Sequence, residues 1–251
     1  VAFCDVLRVS GRGNPRQEMF KGTMFVQLLT YTPDPEQVVA SAAKLCYSAS
    51  SIGHLLEKSR VERENLLKKI LSLGHLSVLE HASFTFGIEG ISRACSHQLV
   101  RHRLASFAQQ SQRYVSQKEC FAAVIPPSIA DRPELKERYE ALLKQVHQVY
   151  RELLDGGIPA EDARFVLPNG AETKLVLTMN ARELLHFFNL RCCRRAQWEI
   201  RSVAKEMVRL VRQVAPIIFS GAGPACLKGP CPEGTMTCGA MAEVRREYAE
   251  L

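Results

Sequence analysis

The chain has 251 residues, 46% hydrophobic and 24% charged, and 33 Lys and Arg against 26 Asp and Glu leave a net charge of +7. Such a length buries a sizeable core, the composition excludes wholesale disorder and fibrous repeats, and no apolar run approaches the roughly 20 residues of a membrane-spanning helix. The basic surplus leaves nucleic acid, an acidic membrane or phosphorylated small ligands as partners. Residues 1–23 lack sustained periodicity and read as an N-terminal extension, with Met24 opening the folded unit. Met24 to Tyr31 reads as a strand. Asp34-Pro35-Glu36-Gln37 supplies an N-cap, a proline at the first helical position and Gln two residues later, opening a helix to about Ser48. A second helix is predicted from about Ser59 to Leu73, stopped by Gly74. Ala82 to Glu89 alternates, with Phe84, Phe86 and Ile88 on one side, as a half-buried strand does. Ile91 to Val100 reads as a helix, followed by a polar loop. Beyond Pro126-Pro127 a long amphipathic helix spans Pro133 to Leu154, ended at Gly156-Gly157. A short helix follows near Ala160 to Phe165, then a strand from Thr173 to Met179 and helices at about Ala181 to Asn189 and Ala196 to Val214. Gly221 to Gly239, rich in Gly, Pro and Cys, reads as an irregular loop. With no repeat and no linker, the economical fold is one α+β domain over 24–220 with a tail over 221–251.

Nine cysteines, odd in number, scattered, and including the adjacent pair Cys192-Cys193, argue against a secreted disulfide framework. The N-terminus lacks the ordered regions of a secretory signal, and a cytoplasmic location is expected. In the tail, Cys226, Cys231 and Cys238 could give three thiolate ligands, but a closed zinc site takes four and no His follows His186. No metal is therefore expected. These three read as reduced loop cysteines, with a metal or a local disulfide as the alternatives.

The charge is concentrated. Ile91 to Arg113 holds four arginines and no acid, and Arg182 to Arg212 holds eight basic residues against three acidic ones, so these two segments carry more than the entire surplus. In the first lies Gln98-Leu99-Val100-Arg101-His102-Arg103, continuing through Ser106 to Gln109-Gln110-Ser111-Gln112-Arg113. Arginine forks suit phosphate and planar carbonyl groups, and Ser and Gln complete such contacts. A helix macrodipole accounts for Arg-His-Arg at a helix C-terminus, but not for a polar run that continues for ten residues. A bound polyanion does.

Arg101-His102-Arg103 followed after seven residues by Ser111 resembles the signature of the flavin-dependent thymidylate synthases. The likeness extends to Gly74 through His81, to Ala163 through Pro168, and to Asn180 through Ile200, in family order. It implies a mainly antiparallel sheet flanked by long helices, in a homotetramer with the active site at subunit interfaces. It also implies reductive methylation of dUMP to dTMP, with methylenetetrahydrofolate as carbon donor, FAD as carrier and hydride source, NADPH as reductant, and no protein nucleophile on the uracil. Carried over, Gln98, Leu99, Val100, Arg101, Gln109, Gln110, Ser111, Gln112, Arg113, Arg164 and Arg191 contact dUMP. His75, Ser77, Arg101, His102, Arg103, Gln109, Asn180, Ala181, Arg182 and His186 contact FAD. Arg191 is the catalytic residue, a cation against the uracil carbonyls. A basic nucleic-acid-binding module is the alternative reading. Against it, aromatics are only 7% and do not interleave with the arginines as stacking platforms would.

Overall fold

The computed structural model describes residues 23–49, 51–55, 60–118 and 122–251, so the extension lies outside the described residues except for Thr23. The elements in chain order are β1 (Phe25–Tyr31), α1 (Pro35–Leu45), α2 (Ile52–Leu55), α3 (Arg60–Ser72), a 3₁₀ turn (Leu76–His81), β2 (Ser83–Ser92), α4 (Arg93–Leu99), β3 (Ala105–Gln109), α5 (Pro127–Ala130), α6 (Pro133–Asp155), α7 (Ala160–Ala163), β4 (Glu172–Asn180), α8 (Ala181–Arg191), α9 (Trp198–Val214) and α10 (Met241–Ala249). Two compact units result, one of residues 24–110 with 173–251, the other containing 111–172.

The larger unit is α+β, as expected. Its four strands lie in the order β1-β2-β4-β3, with antiparallel pairing of β1 to β2 and of β3 to β4. Alternation builds one dry face: Val26, Phe84, Phe86, Ile88, Leu175, Leu177 and Met179 are buried. Against this face stand Leu184, Phe187 and Phe188 of α8 and Val203, Met207 and Val211 of α9. Phe84 and Phe188 each meet Phe219 edge-on, at centroid distances of 5.3 and 6.2 Å. The opposite face keeps Phe25, Leu29 and Val176 exposed. At α1 the Asp34 carboxylate accepts the Gln37 N–H, as the cap predicts. Glu36 in its first turn accepts the Ile217 N–H at 2.6 Å, tying α1 to the chain beyond α9.

Four expectations are corrected. The second strand does not stop at Glu89 but runs to Ser92, which then caps α4, so that helix starts at Arg93 and not at Ile91. The polar run after α4 is not loop throughout: Ala105–Gln109 is an edge strand, because β4 satisfies its backbone whatever its side chains. Helix α8 continues through Arg191, and Gln197 as N-cap delays α9 to Trp198. The tail set apart at residue 221 is packed into the unit, since α10 buries Val244 and Tyr248 in the main core.

In the smaller unit, α6 follows its predicted span and ends at Gly156. Its Leu143 joins Ala123 and Ala171 in a small core, on which Tyr139, Val146 and Leu167 pack. Among the described residues, no helix is long and apolar enough to cross a membrane.

Candidate functional site

The larger unit fixes the Arg-His-Arg turn from below. Ser92 Oγ accepts the Cys95 N–H and so opens α4. The buried carboxylate of Glu199 accepts both the Ser92 N–H and the Ser92 hydroxyl, each at 2.6 Å. Gln197 caps α9 by accepting the Glu199 and Ile200 N–H groups. One carboxylate therefore locks the starts of α4 and α9 together. At the other end of α4, Arg101 and Arg103 are exposed while His102 between them is buried.

His102 is held on three sides. Its Nδ1 lies 3.3 Å from Glu183 Oε1 of α8. Arg191 Nε donates to its Nε2 at 3.0 Å. The Phe187 ring meets it edge-on at 4.9 Å. A guanidinium can only donate, so Nε2 must accept and the ring proton sits on Nδ1, donated to Glu183. Burial, opposed by the Glu183 hydrogen bond, holds His102 below its ordinary value of 6.5, with the Arg191 charge pushing the same way. The imidazole is thus a neutral connector between a buried carboxylate and a partly buried cation. Burial foremost, and then the Arg101 charge, lower the basicity of Arg191.

His102, Glu183 and His186 bring potential metal-ligand atoms within 4.8 Å of one another. Both His102 nitrogens are committed, however, one as a proton donor and one as acceptor to a cation, so His102 has no lone pair to offer a metal. Neither Glu183 nor Glu199 was singled out from the sequence. Glu199 could have been read from its spacing, since it shares a face with Val203 and Met207 at helical intervals. Glu183 sits three residues after Asn180, as in a capping box. Its backbone does bond Asn180 Oδ1 at 2.9 Å, but its side chain goes to His102.

The expected flavin contacts divide into scaffold and surface. Asn180 caps α8 and Ala181, wholly buried, donates its N–H to Ala82. The Gln109 amide donates to Ser96 and Thr173 hydroxyls at 2.9 and 3.1 Å. Leu99 is also wholly buried, so a ligand would reach Leu99 or Ala181 through the backbone alone. His75, Ser77, Arg101, Arg103, Arg182 and His186 are exposed, as is Val100, with Gln98 half-buried. Arg182 pairs with Glu80 at 2.5 Å. Asn180, Arg182 and His186 line one cavity of about 650 Å³ with Leu104, Glu183 and Asn189, a size that suits a cofactor.

Within the smaller unit, Arg113 and Arg164 converge on Glu161. Arg113 Nε donates to its carboxylate at 2.8 Å, and Arg164 Nε to its backbone carbonyl at 3.0 Å. Ser111 Oγ accepts the Arg113 N–H, which shapes a turn and is not the arrangement of a base-activated nucleophile. The buried Nε2 of Gln112 has no partner among the described residues, a donor that a ligand could satisfy. In the larger unit, Gln110 just beyond β3 donates its N–H to the Lys174 carbonyl of β4.

The family model described as thymidylate synthase complementing protein matches residues 27–217. The flavin-dependent thymidylate synthase of Geobacter sulfurreducens is 60% identical over 91% of this chain and 99% of its own length. That of Clostridium tetani is 45% identical over 89% and 96%. In the solved structures, a UMP/dUMP methylase PolB from Streptomyces cacaoi, bound with 5-Br dUMP, has the same fold at a TM-score of 0.72. It has 24% identity, over 80% of this chain and 95% of that one. With the family model and the curated relatives matching most of the chain, the protein belongs to the thymidylate synthase complementing protein family, that of the flavin-dependent thymidylate synthases.

Proposed function

We propose that this chain makes dTMP from dUMP by reductive methylation, with methylenetetrahydrofolate as carbon donor and NADPH as reductant. The observation that carries the reading is the Arg191 guanidinium, fixed by His102 and Glu183 beside a carboxylate-poor Arg101-His102-Arg103 turn. A cation held in one orientation stabilises negative charge developing on the uracil carbonyls, and so raises electron density at C5. FAD, when bound, supplies the hydride and carries the one-carbon unit. The donor set fits it: Arg101, Arg103 and Arg182 are exposed cations suited to its diphosphate, and His75 and His186 are exposed rings suited to its flat system. Ser77, Gln109, Asn180 and Ala181 complete that set, while Ser111, Gln112, Arg113 and Arg164 hold dUMP.

No cysteine is needed as nucleophile. Burial pushes the Cys95 thiol, the one that feels Arg191, far above its ordinary value, and a neutral thiol attacks poorly. The seven described cysteines are free thiols, in keeping with a cytoplasmic location. The exposed Phe25, Leu29 and Val176 on the open sheet face are apolar area that further copies would remove from water, in keeping with a homotetramer. Light scattering should then give four copies of the 28.1 kDa chain, and a monomer at working concentration would exclude that assembly. The deciding assay supplies dUMP, methylenetetrahydrofolate, FAD and NADPH to yellow protein and measures dTMP. NADPH oxidation without dTMP would make the protein a reductase, and colourless protein with salt-sensitive DNA affinity would make it a nucleic-acid binder.

A further inference from the structure

No motif block contains Lys228, yet it lines the same cavity as Asn180, Arg182 and His186. The charged groups of that cavity are otherwise matched: Arg182 pairs with Glu80, and Glu183 is taken up by His102. Lys228, the other lining cation, has no carboxylate partner among the described residues. Its backbone is set on both sides. Ala225–Leu227 form a 3₁₀ turn that Lys228 ends, its N–H donating to the Ala225 carbonyl, and this turn packs against both α8 and α10. Leu227 packs on the main core, and Arg245 of α10 donates to the carbonyls of Cys226 and Gly229, at 3.0 and 2.8 Å. The side chain has a seat of its own. A methyl group added at Gly221 would come within 2.9 Å of Lys228 Cε and 3.6 Å of its Nζ, so the lysine stem crosses directly over the bare glycine. Arg212 holds the carbonyls on either side of that glycine, those of Ser220 and Ala222, at 3.4 and 3.1 Å. A flexible four-carbon stem is thus laid along fixed backbone beside the cavity.

The geometry points to Lys228 as a ligand of the flavin's diphosphate, a contact that makes the tail one wall of the cofactor site. This rests on the reading of the cavity as the place of FAD. An ammonium is a compact point charge that suits phosphate oxygens. With Arg182 engaged by Glu80, a phosphate entering here meets in Lys228 a cation with no internal acid to displace. Seating the side chain before the ligand arrives lowers the ordering cost of the contact, and Gly221 is in that sense a positioning residue.

Dilution of the full-length holoenzyme, with released FAD read by its fluorescence, gives the dissociation constant. Lys228→Met should raise it about tenfold, the loss of one charge-assisted hydrogen bond, and Lys228→Arg should recover most of that loss. Added salt should weaken FAD binding less steeply in Lys228→Met than in the parent. Gly221→Ala, at a backbone conformation open to alanine, should raise the constant about threefold by pushing the stem aside. In a Lys228→Ala background, with no stem to push, the same change should add nothing. The proposal is overturned by unchanged FAD affinity in Lys228→Met, by equal salt dependence, or by a Gly221→Ala loss that persists without the lysine. A raised KM for NADPH or the folate with FAD still held tightly would give Lys228 to another ligand and overturn it as well. Failure of the flavin reading itself would show separately, as parent protein that binds no FAD, and would take the proposal with it.

Discussion

The Arg191 guanidinium has its direction set by His102, whose tautomer is in turn set by Glu183. Arg191→Ala should retain the yellow flavin and fold normally while kcat for dTMP falls by roughly 10²–10³-fold, the usual effect of removing one charge-stabilising donor. Wild-type turnover in that variant would remove Arg191 from the mechanism. The same chain makes activity sensitive to acid. Protonation of His102 removes the Nε2 lone pair that receives Arg191 and sets two cations face to face, with His186 adding to the unfavourable field. The kcat profile should therefore fall on the acid side with an apparent pKa below 6.5. Because the folded value is depressed, the unfolded chain binds more protons between that value and 6.5, so this contribution to stability is complete above 6.5 and is lost as the pH falls through the window. His102→Phe should flatten the acid limb at a low overall rate. An unchanged limb would mean that another group titrates.

At the scale of elements, the site depends on how helices begin. α4, α8 and α9 open on Ser92, Asn180 and Gln197, each of which caps through its own side chain, and Glu199 bonds the first of these to the start of the third. Glu199→Ala would leave the buried Ser92 N–H without its acceptor, at a cost of about 1–3 kcal/mol. Thermal unfolding should show a lower midpoint, and flavin affinity should weaken because the Arg-His-Arg turn is the far end of α4. A midpoint unchanged from the parent would show that Ser92 finds another partner. The edge strand β3 carries the same lesson for prediction. Ala105 to Gln109 has no strong apolar alternation, and its strand state comes from pairing with β4, a partner some 70 residues away.

At the scale of the whole molecule, one arginine gathers several carbonyls of the tail. Arg212 of α9 donates to the carbonyls of Phe219, Ser220, Ala222 and Tyr248, joining the end of α9 to the last turn of α10. Arg212→Ala should cost about 1–3 kcal/mol, since part of this set is buried. It should also open residues beyond 220 to limited proteolysis before the rest of the chain; equal resistance would show that α10 is held by apolar packing alone. The net charge belongs to this scale too. Many basic side chains make internal ties, as with Arg194 to Glu243, Lys205 to Glu247 and Arg182 to Glu80, while Arg101 and Arg103 stand exposed.

Local chemistry made much of this protein legible in advance. Periodicity, caps and breakers marked β1, α1, α3, α6 and the cores of β2, β4, α8 and α9, and ordered motif blocks marked the family. These are signals written within a few residues of where they act. The sequence could not reveal what depends on residues far apart. Glu183 and Glu199 look like ordinary helix acids until burial assigns them His102 and Ser92 as partners. Val244 and Tyr248 look like tail residues until the core receives them. Each of these is a pairing between distant segments, and only the folded chain decides which distant groups share a dielectric and which meet water.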